Sequence, residues 1–235
     1  MQNDMKDFNN AINLCEKEFS HEELVELLKN GTVIERQYGA LNLDCVKSKD
    51  EAKILLSNLV GVDGKIREAV ALKTYELTKN THEYFLAEEN FETFSNATID
   101  IDGNVCRLAI SSACNLKHNE NFSKFYAESM VKIIEIALDE ISKFTFRDKK
   151  YKINKQIFKI YWCLEALIDF YTFLKEEKLQ EILEKCANLQ EYTVREKCAK
   201  ILCHNKFNER ANQLIEKLKN DENYYVRSVF WIIKN

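Results

Sequence analysis

Proline is absent from this chain of 235 residues, and glycine occurs only five times. Average usage would give about 12 prolines and about 16 glycines. Tight turns depend on these residues, so the sequence excludes collagen-like and proline-rich classes and disfavours β-sandwiches and dinucleotide-binding α/β domains. Because 46% of the residues are hydrophobic, the chain can still build a large core. An all-α fold is the class that remains.

Disulfide motifs are also missing, although the chain contains eight cysteines. They lie at positions 15, 45, 106, 114, 163, 186, 198 and 203, within apolar helical patterns and without a CxxC pair. This pattern is typical of small buried thiols. The N-terminus has no basic segment followed by an apolar one, so we expect no secretory signal and a reducing, cytoplasmic location.

No membrane-spanning pattern occurs in the sequence. The longest apolar stretch, residues 158–174, is interrupted by Lys159, Glu165 and Asp169. Three charges near a bilayer centre cost too much, and the stretch is too short to span. We therefore expect no membrane partner.

Catalytic and metal-binding patterns are equally scarce. None of the four histidines belongs to an HExxH or HxH motif, and no glycine-rich phosphate loop is present. Cys114 with His118, and Cys198 with Cys203 and His204, provide too few ligands for a metal site. The sequence thus predicts no cofactor and favours a non-enzymatic protein.

What the sequence does contain is a series of amphipathic helices. The segment 1–19 places an apolar stripe at steps of three or four, and we expect it to be an N-terminal capping helix; the stripe is Met5, Phe8, Ile12, Cys15 and Phe19. Capping boxes follow at Ser20 with Glu23 and at Ser48 with Glu51. Asn30-Gly31 predicts a left-handed helix stop.

The helices are predicted to come in pairs, a short helix followed by a turn and a second helix. After residue 80, the pairs are 81–95 with 102–117, 121–144 with 149–174, 176–189 with 191–204, and 207–219 with 222–234. No linker rich in glycine, serine or proline separates them. We therefore predict a single domain over residues 1–235, with the repeated pairs filling 20–235.

Most second helices begin with a recurring phrase that carries an arginine. It is seen at residues 33–36, 65–69, 104–109, 193–198 and 225–229, and its arginines are Arg36, Arg67, Arg107, Arg195 and Arg227. Periods of 30 to 45 residues are typical of helical solenoids. Each arginine is predicted to bind acids or helix-end carbonyls of a neighbouring repeat.

The Val-Arg phrase after a leucine-rich first helix resembles the HEAT-repeat class. The resemblance covers nearly the whole chain after residue 20 and implies a right-handed, armadillo-like α-solenoid of about six helix pairs. It also implies that the second helices, beginning near 33, 65, 104, 150, 193 and 225, line the concave face and make the contacts.

Charge is uneven along the chain. Residues 1–100 carry 11 Lys and Arg against 19 Asp and Glu, whereas residues 101–235 carry a net charge of +4. The basic excess peaks on one helix, which is predicted to bind a partner through Arg147, Lys149, Lys150, Lys152, Lys155, Lys159 and Trp162. Within this set, Lys152, Lys155, Lys159 and Trp162 share one helical face, a cationic stripe that ends in an indole. A solvated lysine face is the alternative interpretation.

These observations favour a scaffold that binds a protein or peptide, one with an acidic segment. The alternative is a nucleic-acid-binding protein similar to the DNA-alkylation glycosylases, which have a HEAT-like fold; Trp162, Glu165 and Asp169 would then be the stacking and acidic residues. Bilin-lyase-like HEAT proteins share the repeat phrase, but no pigment-specific residue supports that class.

The last helix is apolar on several sides. Tyr224 and Trp231 lie on one flank, and Tyr225 and Ile232 lie on another. Such a helix is normally buried on several sides. Either these side chains lean back onto the helix at 207–219, which we favour, or the edge is exposed and supports self-association or partner docking.

Overall fold

The computed structural model describes residues 10–144, 146–203 and 209–232, and their side chains except those of 146–149 and 209–210. Within these ranges the chain forms α-helices and two short 3-10 helices, and no strand. The all-α prediction is therefore confirmed. The chain divides into two compact units, Met1–Phe122 and Ser123–Asn235.

The first unit contains helix α1 (10–15) and three successive helix pairs. The pairs are α2 (His21–Asn30) with α3 (Val33–Asn42), α4 (Lys49–Leu56) with α5 (Gly64–Thr78), and α6 (Glu88–Ala97) with α7 (Gly103–Asn115). The first helices pack in series as α2, α4 and α6, and the second helices pack in series as α3, α5 and α7. This arrangement is the two-layer packing expected of a helical repeat.

Six further helices follow, of which all but the first three residues of α8 lie in the second unit. They are α8 (Glu120–Ser142), α9 (Phe146–Phe170), α10 (Glu176–Cys186), α11 (Tyr192–Cys203), α12 (Glu209–Lys219) and α13 (Tyr224–Ile232). The second helices α9, α11 and α13 again pack in series. The 3-10 helices are His82–Phe85, before α6, and Tyr171–Phe173, after α9. Repeat number, handedness and a single domain over 1–235 stay predictions.

Local signals placed several helix ends correctly. Ser20 and Glu23 form the predicted capping box, in which the Ser20 backbone N–H donates to the Glu23 carboxylate at 2.8 Å. Ser48 caps α4, but Glu51 accepts from the backbone N–H of Lys47 instead of closing the box. Each of these ends satisfies N–H groups that a helix leaves without partners.

Gly31 and Gly61 differ in backbone conformation. Gly31 is not a left-handed stop, because its φ is −70°. It is needed for close approach instead, since a Cβ there would lie 2.5 Å from the carbonyl oxygen of Leu27. Gly61 does adopt a positive φ of 75°, which turns the chain between α4 and α5.

The predicted apolar stripe of the first helix is wrong where the structure describes it. Ile12 and Cys15 are exposed, and Leu14 is the buried residue. Met5 and Phe8 lie outside the described residues. Because α1 ends at residue 15, Phe19 is not on the same helix. Helical spacing therefore does not place Phe19 on one face with Ile12 and Cys15.

Three of the recurring arginines, Arg36, Arg67 and Arg195, link successive helix pairs as predicted, whereas the prediction is wrong for Arg107, which donates to Asn104 of its own helix. In the first unit Arg36 donates to Asn58 Oδ1 at 3.2 Å, and Arg67 donates to Asp100 Oδ1 at 3.1 Å. Each acceptor lies in the turn before the second helix of the next pair. Arg36 also donates to the Gly31 carbonyl at the start of its own helix. The Arg36 side chain thus forms hydrogen bonds to two turns, the one before its own helix and the one before α5.

The same relationship recurs in the second unit. Arg195 donates through Nε and Nη2 to the two carboxylate oxygens of Asp221, at 2.7 and 2.9 Å, and through Nη1 to the carbonyls of Leu189 and Gln190. Arg227 donates to the carbonyls of Asp221 and Glu222. These bonds satisfy carbonyls of the turns, and the Arg195–Asp221 pair joins α11 to the turn before α13.

Candidate functional site

The cationic face predicted on α9 is largely exposed. Lys150, Lys152 and Lys155 are exposed and Lys159 is half-buried, while the apolar side of the helix is buried at Ile153, Ile160, Leu164 and Leu167. We call these four lysines the lysine stripe. Lys152 Nζ lies 5.0 Å from the centre of the Phe144 ring. The side chains of Arg147 and Lys149 lie outside the described residues.

Trp162 does not belong to this exposed face. Its side chain is only 9% exposed, and its ring lies 5.2 Å from the Tyr161 ring and 6.1 Å from the Phe158 ring. The prediction of an exposed indole at the end of the stripe is wrong, because the Trp162 side chain is buried. The indole N–H has no hydrogen-bond partner among the described residues.

A buried ion pair lies between α9 and α11. Lys197, 5% exposed, places Nζ 2.5 Å from Glu165 Oε2 and 4.8 Å from the Tyr161 ring centre. Burial lowers the pKa of Lys197, but the contact with Glu165 outweighs it, so the pKa is above its usual value. Lys197 is therefore charged, and Glu165 is held as its counter-ion. Trp162 and Glu165 do not form the open stacking and acidic pair that a glycosylase-like site needs.

A groove in the first unit was not identified residue by residue from the sequence. It encloses about 400 Å³ on the surface of the second helices α3, α5 and α7. Its lining residues are Gln37, Leu41, Lys65, Glu68, Ala69, Leu72, Asn104, Arg107 and Leu108. Leu41 and Leu72 are 44% and 40% exposed, a large fraction for leucines. The groove therefore combines open apolar surface with charged and amide groups.

The polar side of the groove contains a short hydrogen-bond chain. Arg107 Nη1 donates to Asn104 Oδ1 at 3.2 Å, and Asn104 Nδ2 donates to Glu68 Oε1 at 3.4 Å. Lys65 and Arg107 form no ion pair with the described residues, although Arg67 and Lys73, on the same helix as Lys65, are both paired with carboxylates. The groove thus has two cations against one carboxylate.

Sequence reasoning named the helices of this groove but not its residues. The resemblance implied contacts from the helices beginning near 33, 65 and 104, which are α3, α5 and α7. Leu41, Leu72 and Leu108 lie more than 30 positions apart in the chain. On a helical wheel each of these leucines lies at the edge of an apolar stripe, a common position for a leucine. Only the packing of the three helices brings the leucines together.

The aromatic side chains of the last helix are exposed. Tyr224, Tyr225, Trp231 and Ile232 all lie on the surface, and Trp231 is 57% exposed. The Tyr225 ring lies 6.0 Å from the Tyr192 ring on α11 and 5.8 Å from the Tyr224 ring, which is 6.3 Å from Trp231. The expectation that these side chains lean back and become buried is wrong, and the exposed-edge alternative is the one that fits.

The thiols and histidines considered as ligands form no cluster of three or more His, Cys, Asp or Glu groups within the described ranges. His82 and His118 are in ring contact, with centroids 4.3 Å apart. Four thiols are buried as expected: Cys106, Cys163, Cys186 and Cys198. Cys45, Cys114 and Cys203 are half-buried and Cys15 is exposed, so the prediction of burial is wrong for Cys15. His204 lies outside the described residues.

Burial raises the pKa of Cys198 well above the usual thiol value, and neighbouring Cys186 adds to this effect. Burial, together with the charge of Asp100, raises the pKa of Cys106 to about 12. A protonated thiol is a poor nucleophile and a poor metal ligand. These two cysteines therefore behave as small core residues.

No helix within the described residues is both long enough and apolar enough to cross a membrane. No protein-family model matches the sequence, and a search of curated proteins gives no match.

Among solved structures, the chain is similar to engineered and designed proteins at low TM-scores. Two are crystal structures of engineered proteins from a structural genomics consortium. The chain is 13% and 17% identical to them, with TM-scores of 0.46 and 0.47, over 92% of this chain and 97% and 99% of theirs. A designed armadillo repeat protein is 11% identical with a TM-score of 0.46, over 91% of this chain and 98% of its own. Scores this low carry no argument about function.

Proposed function

We propose that this chain is a non-enzymatic scaffold that binds a protein or peptide partner through the surface of its second helices. By the resemblance to HEAT repeats, this surface is the concave face. The observation that carries the proposal is the serial packing of second helices in each unit, which presents side chains from several helices on one surface. The groove on α3, α5 and α7 belongs to the first unit, and the lysine stripe on α9 belongs to the second.

The lysine stripe supports an acidic partner. Lys150, Lys152 and Lys155 are exposed on one helix of the basic part of the chain. Exposed lysines clustered on one helix raise the local concentration of an acidic segment and accelerate its association. Trp162 is not part of the proposed surface, because it is buried.

Affinity capture with matched variants tests the proposal. The bait is the tagged chain as wild type, as the triple variant Lys150→Glu/Lys152→Glu/Lys155→Glu, and as the control Lys124→Glu/Lys132→Glu/Lys175→Glu. The control changes the net charge equally, at exposed lysines on α8 and before α10. We expect a stoichiometric partner with the wild type and the control, and its loss from the stripe variant.

Two results would contradict the proposal. Recovery of no stoichiometric macromolecule by the wild type would remove the scaffold function. Equal recovery by the stripe variant and the control would show the lysine stripe to be a solvated face.

A further inference from the structure

We propose that the groove between α3, α5 and α7 binds an extended peptide segment of another protein, in which a bulky apolar side chain is flanked by aspartate or glutamate. This inference rests on the proposed function, because it names the partner chemistry for one part of the second-helix surface. It concerns the first unit alone, where the groove and all of its lining residues lie.

The apolar part of the segment is indicated by three leucines. Leu41, Leu72 and Leu108 come from three successive second helices and line one groove. Leu41 and Leu72 are about two-fifths exposed, so their apolar surface remains open to water. A volume of about 400 Å³ lies within the range of sites that enclose a ligand. A leucine-sized side chain entering this groove would remove apolar surface from water on both partners.

The acidic part is indicated by two cations at the edge of the same groove. Lys65 at the start of α5 and Arg107 on α7 are both exposed and form no ion pair with the described residues. Glu68 lines the same groove, and Asn104 donates to its carboxylate. A peptide carboxylate placed beside Arg107 and Lys65 would give the two cations a second counter-ion and balance the charge of the groove. Charge complementarity therefore favours an acidic ligand.

Gln37 and Asn104 favour a peptide backbone as the framework of this ligand. Both side chains are carboxamides, which donate and accept hydrogen bonds at once, as a peptide group does. Gln37 forms no hydrogen bond with the described residues. Second helices packed side by side lie about 8 to 10 Å apart, so the groove spans about 20 Å from α3 to α7. An extended chain covers this distance with about six residues.

The charge of the surroundings argues against a nucleic acid in this groove. Residues 1–100 carry 19 acidic against 11 basic side chains. A polyanion would be repelled by this background over its whole length, whereas one or two carboxylates respond mainly to Lys65 and Arg107 at contact distance. A short acidic and apolar segment satisfies both conditions.

A display experiment tests the inference with the whole chain. A phage library of random dodecapeptides is selected on the wild type, and the enriched peptides are synthesised with a fluorescent label for anisotropy titration. We expect a consensus in which Leu, Ile, Met or Phe lies within two residues of Asp or Glu. Replacing its acids by Asn and Gln should weaken binding at least about tenfold, equivalent to about 1.4 kcal/mol.

Two variants and one control locate the binding site. Lys65→Glu/Arg107→Glu and Leu72→Asp should each weaken the enriched peptide at least about tenfold. The control Lys29→Glu/Lys49→Glu changes the charge equally at exposed lysines of the first-helix layer, and should bind like the wild type. Far-ultraviolet circular dichroism of each variant establishes that it is folded.

Several outcomes would overturn the inference. They are a consensus without acidic residues, binding unaffected in either groove variant, and no enriched peptide with a Kd below about 1 mM. The proposed function has a separate readout, because its partner is captured through α9. A partner lost from the lysine-stripe variant but retained by both groove variants would reject the groove ligand and leave the scaffold function standing.

Discussion

Arg195 and Asp221 form a bidentate ion pair between α11 and the turn before α13, with nitrogen to oxygen distances of 2.7 and 2.9 Å. Both side chains are 9% exposed. The same guanidinium also donates to the carbonyls of Leu189 and Gln190. A single residue of the recurring sequence phrase therefore joins the turn of its own helix pair to the turn of the next pair.

The first prediction is that Arg195→Ala destabilises the protein by about 3 kcal/mol. Removing the guanidinium leaves a buried carboxylate without its counter-ion and two carbonyls without the donor that Arg195 supplies. Urea unfolding followed by circular dichroism measures the change. Arg195→Lys should restore only part of the loss, because an ammonium cannot make the bidentate contact. The exposed Arg107→Ala is the control and should stay within about 0.5 kcal/mol; an equal loss in both variants would contradict a special role for Arg195.

The second prediction concerns pH. Burial raises the pKa of Asp221, but hydrogen bonds from Arg195 and the Asn223 backbone outweigh it, so the net pKa is below the ordinary carboxyl value of 3.8. A carboxyl with a lower pKa in the folded state contributes stability above its unfolded pKa and loses it as the pH falls through the folded value. The stability difference between wild type and Asp221→Asn should be constant from about pH 5 to 8 and shrink below about pH 4. A difference that grows on acidification would contradict this assignment.

The third prediction concerns the thiols. All eight cysteines should be reduced in the isolated protein, and an aromatic disulfide reagent at neutral pH should label exposed Cys15 first. Cys106, Cys163, Cys186 and Cys198 should react only on unfolding, because they are buried. Mass spectrometry after timed quenching identifies the labelled sites. A native disulfide, above all between the neighbours Cys186 and Cys198, would contradict both the core assignment and the expected compartment.

The fourth prediction separates stability from binding at the lysine stripe. Charge reversal at Lys150, Lys152 and Lys155 should change the free energy of unfolding by no more than about 0.5 kcal/mol per site, because exposed substitutions rarely do more. The affinity for the captured partner should fall and should depend on salt concentration. Affinity that is insensitive to salt would show that the lysines take no part in binding.

The fifth prediction concerns the aromatic edge formed by Tyr192, Tyr224, Tyr225 and Trp231. Exposed aromatic patches support association, so sedimentation velocity should show a concentration-dependent shift for the wild type. Trp231→Glu should abolish the shift, because it places a charge at the end of the ring series. Lys185→Glu, at an exposed position on α10, is the control. A wild type that stays monomeric at every concentration would reject self-association through this edge.

Much of the fold could be predicted because its signals are local. The capping box at Ser20 depends on residues three positions apart, and an apolar stripe on residues three or four apart. The scarcity of glycine and proline excluded most other fold classes. The predicted helix at 81–95 was less accurate, because the chain forms a 3-10 turn and then an extended residue, Ala87, before α6 begins. No local signal marked that break.

Only part of the candidate site could be predicted from the sequence. The lysine stripe was found because its residues lie close together in the sequence of a single helix. Trp162 was misplaced because the helical wheel of α9 contains no information about the packing that buries this side chain. Leu41, Leu72 and Leu108 were not identified as one groove, since each belongs to a different helix.

By itself, the sequence determined the helical class, most helix ends, the repeated arginine and the distribution of charge, because each depends on composition or on neighbours within one or two turns. The tertiary structure alone decided which arginine meets which acceptor, that Glu165 is neutralised by Lys197, and that Tyr225 and Trp231 remain exposed. These depend on how neighbouring helices pack, and side chains far apart in the chain meet only when helix faces are pressed together.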